Sequence, residues 1–176
     1  MIKQILDLGV QTILAPMIED AAHAAEMVRA MHYAPKGTRG VASAVVRASD
    51  YGRVRDYMAT ANDETCLILQ VESRAGLRVL PDLLALDGVD AVFIGPSDLA
   101  ADMGYPGNAA APEVQAAVDA ALTAIVASGK AAGILTFDLK AAARYQAMGV
   151  TFLGIGGDIG LLASAAASLA QVARGF

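Results

Sequence analysis

Residues 66–99 read CLILQVESRAGLRVLPDLLALDGVDAVFIGPSDL. Two apolar runs, CLILQV (66–71) and AVFIG (91–95), enclose a segment whose apolar residues recur at three- and four-residue spacing. Continuous apolar runs of this length, rather than alternating ones, mark strands of a parallel sheet buried on both faces under helices. Each run also meets an acid as it ends, Glu72 after the first and Asp98 just beyond the second.

The same rhythm extends in both directions. TILAP (12–16), AGIL (132–135) and TFLGIG (151–156) are further strand candidates. The intervening DAAHAAEMVRAM, SRAGLRVLPDLLAL, PEVQAAVDAALTAIVAS and DLKAAARYQAM have helical spacing, with a break expected at Pro81 and a helix start at Pro112. Glycines in SGK and MGV are placed to stop two of these helices. A doubly wound sheet would carry a glycine-rich phosphate turn after an early strand, but the cluster GIGGDIG (154–160) comes late and lacks that spacing. The pattern predicts an α/β chain of the (β/α)8 TIM-barrel type, whose chemistry sits at the C-terminal ends of strands. Five strands are too few for closure, which ordinarily takes about 250 residues, so the barrel is expected to be incomplete.

Composition agrees with one soluble domain over 1–176: 56% hydrophobic residues, 18% charged and a formal charge of −5. No basic stripe suits nucleic acid, and no apolar run reaches the roughly 20 residues of a bilayer span. MIKQILDLG lacks the layout of a signal peptide, so a cytoplasmic location is expected. Cys66 is the only cysteine, which excludes an internal disulfide and is expected to be a small buried residue.

A carboxylate at the mouth of an apolar strand is costly to desolvate unless paired or bound to a cation. Neighbouring strands lie about 4.8 Å apart, so Glu72 and Asp98 can converge on one hard cation, Mg²⁺ or Mn²⁺. Gln70 points to the same mouth as Glu72, and the turn Gly95–Ser97 offers backbone N–H groups to a small anion. Capping of the following helices is the competing use of both acids. His23 and His32 fall in helical patterns, and Lys3, Lys36, Lys130 and Lys140 all miss a strand's C-terminal end, which argues against a Schiff-base lysine. Ser97 lacks a GxSxG elbow. Arg39 and Arg47 belong to a basic glycine-containing loop expected to be solvated, with an anionic ligand or a neighbouring subunit as the alternatives it could reach, and Asp158 is expected to cap the alanine-rich helix after it.

The phrases QTILAPMIEDAAHAAEMVRAMHYAPKGTRG (11–40), ASDYGRVRDYMATANDETCLILQVES (48–73), GVDAVFIGPSDLAADMGYPGN (88–108) and AAGIL (131–135) resemble the HpcH/HpaI aldolases, the class II pyruvate aldolases, and among them the 4-hydroxy-2-oxoheptanedioate aldolase branch of aromatic catabolism. The resemblance implies a (β/α)8 barrel, with a divalent metal (Mg²⁺ or Mn²⁺, with Co²⁺ a further candidate) held by Glu72 and Asp98. It implies pyruvate contacts from Gln70 and the backbone of Ser97, and an aldehyde pocket lined by Leu135. It also implies a homo-oligomer, commonly a hexamer that exchanges C-terminal helices.

Family members carry three βα units ahead of the point matched by MIKQILDLG, including an acid/base histidine in a DGEHAP-like phrase and an arginine that polarises the keto oxygen. The expectation is thus an N-terminally truncated barrel whose catalytic residues are not assigned; neither Arg39, Arg47, His23 nor His32 matches them. The implied reaction is cleavage of a 4-hydroxy-2-oxo acid to pyruvate and an aldehyde. A non-catalytic half-barrel acting in assembly or ligand binding, and a citrate-lyase-like lyase of CoA esters, are the alternatives. The second would need a basic surface for CoA that this sequence does not show.

Overall fold

Five parallel strands run side by side in chain order: β1 (Thr12–Ala15), β2 (Cys66–Val71), β3 (Ala91–Ile94), β4 (Ala131–Leu135) and β5 (Phe152–Gly154). The computed structural model describes residues 1–175. Its helices are α1 (Ile2–Asp7), α2 (Ala21–Met31), α3 (Tyr57–Thr60), α4 (Arg74–Ala85), α5 (Pro96–Asp102), α6 (Pro112–Ala127), α7 (Leu139–Ala147) and α8 (Asp158–Ala173), with a 3₁₀ turn at Arg47–Ser49. Parallel neighbours need crossover connections, and these helices supply them. The result is the α/β arrangement of an incomplete (β/α)8 barrel.

Register sets which residues meet at the mouth. Leu69 pairs with Ala15, Val71 with Ile94 and Ile134 with both Ile94 and Leu153. Glu72 and Gly95, each one residue past its strand, therefore emerge side by side, and the ladder continues through Gly95 N–H to the Val71 carbonyl at 3.0 Å.

Period-2 alternation sends Ile13, Ala15, Leu67, Leu69, Val71, Val92, Ile94, Ala132 and Ile134 to one face, where they form a single core with the helices. The other face is not covered by helices, contrary to the sequence expectation that both faces are so buried. Leu14, Leu135 and Phe152 stand partly open there. Phe93 and Phe152 meet edge to face across Gly133, with ring centroids 5.5 Å apart, where a Cβ would come within 2.6 Å of Phe93. Cys66 is half-buried rather than buried. Alternation from Ile68 and Gln70 puts it on this open face.

Several local expectations change in the folded chain. Pro81 does not break its helix: α4 runs through it, because Leu80 and Leu83 on either side are locked into the core while Pro81 itself faces solvent. The last strand is shorter than TFLGIG, since β5 has one neighbour only and Ile155 is already exposed. Arg39 is not a solvated loop residue but is buried, paired with Asp7 at 3.1 Å and with Tyr57 Oη at 2.9 Å. Arg47 stays exposed in the 3₁₀ turn. Asp158 is the first residue of α8 rather than its cap; Gly157 holds that position, and Asp158 accepts from the N–H of Ile159.

Lys130 and His32 serve the scaffold. Lys130 Nζ donates to the carbonyls of Leu86 and Val89 at 2.9 and 2.7 Å, tying the start of β4 to the segment before β3. His23 lies in the first turn of α2, and His32 at its end pairs its Nδ1 with the Val28 carbonyl at 2.7 Å. No helix among the described residues is long and apolar enough to cross a membrane.

Candidate active site

The strand tops gather Gln70, Glu72, Gly95, Ser97 and Asp98. Glu72 is 4% exposed although it bears a carboxylate. It does not cap α4, because Ser73 does so, its hydroxyl accepting from Gly76 N–H at 3.1 Å. Both Glu72 oxygens are instead held by neutral donors: Oε1 by the N–H of Met17 at 2.9 Å and Oε2 by the Gln70 side-chain amide at 2.6 Å. Asp98 sits in the first turn of α5, whose N-cap is Gly95 with no side-chain cap bond, so this acid is not a cap either. The sequence placed Gly95–Ser97 in a free turn; Pro96 in fact opens the helix, and Ser97 follows as part of its first turn.

The two acids lie within hydrogen-bonding reach of each other. Burial pushes the Glu72 carboxyl above the ordinary range, the Met17 N–H opposes that push, and the charge of Asp98 adds to it. Among the described residues, no lysine, arginine or histidine forms an ion pair with either acid. The geometry leaves no room for a side chain at position 95. A Cβ there would lie 2.6 Å from Glu72 Oε2 and 2.9 Å from Gln70 Nε2.

This donor set suits a hard divalent cation: two carboxylates, one of them withdrawn from water, with no protein cation to neutralise them. Among the described residues no group of three or more His, Cys, Asp or Glu could share an ion. The pair would therefore leave the other coordination positions to water and substrate oxygens, as Mg²⁺-type ions favour. A cleft of about 610 Å³ opens between the start of α5 and the helices α6 and α7, lined by Pro96, Ser97, Gln115, Leu135, Phe137 and Arg144 among others; Gln70, Glu72 and Asp98 do not line it. Leu135 and Ser97 thus face one space, joined to the acid cluster only through Ser97, the chain neighbour of Asp98.

Sequence reasoning passed over Met17 and took Gly95 for an anion-facing donor rather than for the position that must lack a side chain. Gly95 was legible only as part of a turn, and its role depends on a neighbouring strand. Met17 contributes a main-chain N–H from a left-handed conformation, φ 53°, which its residue type does not signal.

The chain matches the family described as HpcH/HpaI aldolase/citrate lyase over residues 1–165. It is 52% identical over 159 residues to a hydroxypyruvate/pyruvate aldolase of Agrobacterium fabrum (strain C58), covering 90% of this chain and 60% of that protein. It is 52% identical over 169 residues to a 4-hydroxy-2-oxo-heptane-1,7-dioate aldolase of Escherichia coli (strain SE11), covering 96% and 64%. The chain therefore spans under two thirds of the length of these relatives. Among solved structures, a HpcH/HpaI aldolase/citrate lyase family protein from Burkholderia cenocepacia J2315 superposes with a TM-score of 0.92 at 37% identity, over 98% of this chain and 68% of that one. An HpcH/HpaI aldolase from Desulfitobacterium hafniense DCB-2 follows with 0.89 at 27%, over 99% and 68%. A match over nearly the whole sequence, at this identity and with this superposition, means that the chain belongs to the HpcH/HpaI aldolase/citrate lyase family.

Proposed function

We propose that this chain carries the metal and pyruvate half of a class II aldolase that cleaves 4-hydroxy-2-oxo acids to pyruvate and an aldehyde. The observation that carries the proposal is the Glu72–Asp98 pair, a buried carboxylate with a second acid against it and only neutral donors around it. The names of the two 52% identical relatives support the substrate class.

Glu72 and Asp98 are the residues that would hold the cation, Mg²⁺ or Mn²⁺. When bound, the cation supplies Lewis acidity toward the carboxylate and keto oxygens of a 2-oxo acid. Gln70 orients Glu72 through its amide N–H and keeps its own oxygen as an acceptor. The first-turn N–H of Ser97 has no intrahelical acceptor and is available to the substrate carboxylate. Leu135 lines the cleft that would take the aldehyde portion. No histidine lies at the strand tops among the described residues, and the proposal assigns no proton carrier to this chain.

The exposed apolar side chains of α8, including Ile159, Leu161, Leu162 and Leu169, are the surface on which we place self-association. Light scattering at micromolar concentration should return a multimer.

The test of function has two parts. Mn²⁺ should raise the unfolding temperature of the wild-type chain and fail to do so for Glu72→Ala and Asp98→Ala, because a ligand that binds the native state alone stabilises it by mass action. Pyruvate release from 4-hydroxy-2-oxoheptanedioate should then depend on Mn²⁺. An equal metal shift in both variants would remove the site. A wild-type shift without pyruvate release would favour a ligand-binding chain over a catalyst.

A further inference from the structure

We propose that Met17 is a positioning residue acting through its backbone: its N–H pins Oε1 of Glu72 and holds that carboxylate over Gly95, beside Asp98, in the orientation that receives a divalent cation. This rests on the reading of Glu72 and Asp98 as cation ligands.

The five residues between β1 and α2 are anchored on both sides of Met17. Ile18 is 1% exposed, seated in the core, and gives its N–H to the Gln70 carbonyl at 3.1 Å. Asp20 caps α2 by accepting the His23 N–H at 2.9 Å. The first turn of α4 closes against the same segment, where a Cβ on Gly76 would come within 2.6 Å of the Ile18 carbonyl. With its neighbours fixed, Met17 takes φ 53°, a conformation disfavoured for a side chain of its kind. Its own side chain is 53% exposed, so packing does not explain that conformation.

What the conformation achieves is a main-chain donor aimed at Glu72 Oε1 at 2.9 Å. Backbone strain of this sort persists where the surroundings over-determine it, and it gathers at ligand clamps. Main-chain groups that hold a ligating carboxylate typically govern metal affinity about 10- to 100-fold.

The experiment measures Mn²⁺ affinity of the 176-residue chain by electron paramagnetic resonance of free Mn²⁺, alongside urea unfolding of the metal-free protein. Replacing the amide at Met17 by an ester removes the N–H while keeping the side chain, and should weaken Mn²⁺ binding at least about tenfold. Met17→Gly keeps the N–H and relieves the positive φ, and should bind within about twofold of wild type. Met17→Val places a β-branched residue at that φ and should weaken binding roughly as the ester does. An ester at Ile18 deletes the neighbouring bond to Gln70 without touching Glu72. It should lower stability while leaving Mn²⁺ affinity within about threefold.

Equal Mn²⁺ binding by the Met17 ester and wild type would overturn the proposal. So would an Ile18 ester that weakens binding as much as the Met17 ester does, because the effect would then be general loop damage. Failure of the wild-type chain itself to bind Mn²⁺ would overturn the cation reading on which the proposal stands, and is distinguishable from both.

Discussion

Arg39 and Glu72 are the two charged residues most withdrawn from solvent, at 3% and 4% exposure, and the fold treats them in opposite ways. Arg39 is neutralised where it lies. Asp7 accepts from it at 3.1 Å while also pairing with Lys3, Tyr57 Oη is 2.9 Å away, and its guanidinium carbon stacks 4.4 Å from the centre of the Tyr33 ring. Burial pushes the Tyr33 hydroxyl up to about 12 against the opposing charge of Arg39, so the ring remains a neutral platform. Glu72 has two neutral donors and a second acid, but no cation. A buried charge completed by the protein belongs to the scaffold; the one left with a like charge beside it is where we place the cation of the proposed site.

That contrast can be broken experimentally, beginning with the largest effect. Arg39→Ala should lower stability by about 3 kcal/mol, the lower end of what breaking a buried pair costs, since Asp7 keeps Lys3. Urea unfolding reads this, and the Mn²⁺-induced stabilisation should survive. Loss of the Mn²⁺ effect instead would show that the two regions are not separate.

Gly95→Ala comes next. Its backbone φ of −98° tolerates any residue, so the penalty comes only from the Cβ placed 2.6 Å from Glu72 Oε2. At Mn²⁺ a hundredfold above the wild-type Kd, this variant should forfeit most of the approximately 2.7 kcal/mol of metal-linked stability. Retention of the full shift in a Mn²⁺ titration followed by calorimetry would mean that Glu72 can move without consequence for the ion.

A smaller effect of opposite sign is expected for Glu72→Gln without metal. Removing a buried charge that lacks a counter-ion, while keeping an acceptor for Met17 N–H, should raise stability by about 1 kcal/mol. The Gln70 amide must turn to accept from the new side chain, which limits the gain. A stability loss in metal-free buffer would show that the carboxylate is satisfied within the protein, as Arg39 is.

The smallest effect concerns pH. Burial raises the Asp7 carboxyl, but hydrogen bonds from Lys3 and Arg39 outweigh it together with their charges, and the net result lies below the ordinary aspartate range. A carboxyl depressed in the folded state contributes stability above its unfolded pKa of about 3.9 and loses it as pH falls through the folded value. Wild type should therefore lose more stability than Asp7→Asn on acidification from about pH 4 downward. Parallel acid profiles in urea midpoints would argue against this pairing in solution.

How much of this was legible beforehand differs between elements. The runs at 66–71 and 91–95 were readable as parallel strands because a continuous apolar segment of that length has few other stable fates, and the acids at their ends followed directly. Pro81 was misread because propensity counts a lost hydrogen bond and cannot count Leu80 and Leu83 held in the core on either side. Arg39 was misread because its partners Asp7, Tyr33 and Tyr57 come from three separate segments. Met17 gave no signal, since a left-handed φ in a non-glycine residue is imposed from outside.

The helices α6 and α8 divide the credit between sequence and tertiary structure. Each has 16 residues, and both are rich in alanine and apolar side chains. Local sequence determined that they are helices, that α6 begins at Pro112, and that Glu72 and Asp98 follow closely on two strands, because helix start signals and apolar runs act over a few residues. Only the tertiary structure decided that α6 buries Val114, Val118, Ala121, Leu122 and Ile125 while α8 buries nothing, and that Glu72 meets Asp98, Gly95 and the N–H of Met17. Burial and charge compensation depend on which surfaces lie within a few ångströms across the fold, a distance that local sequence does not encode.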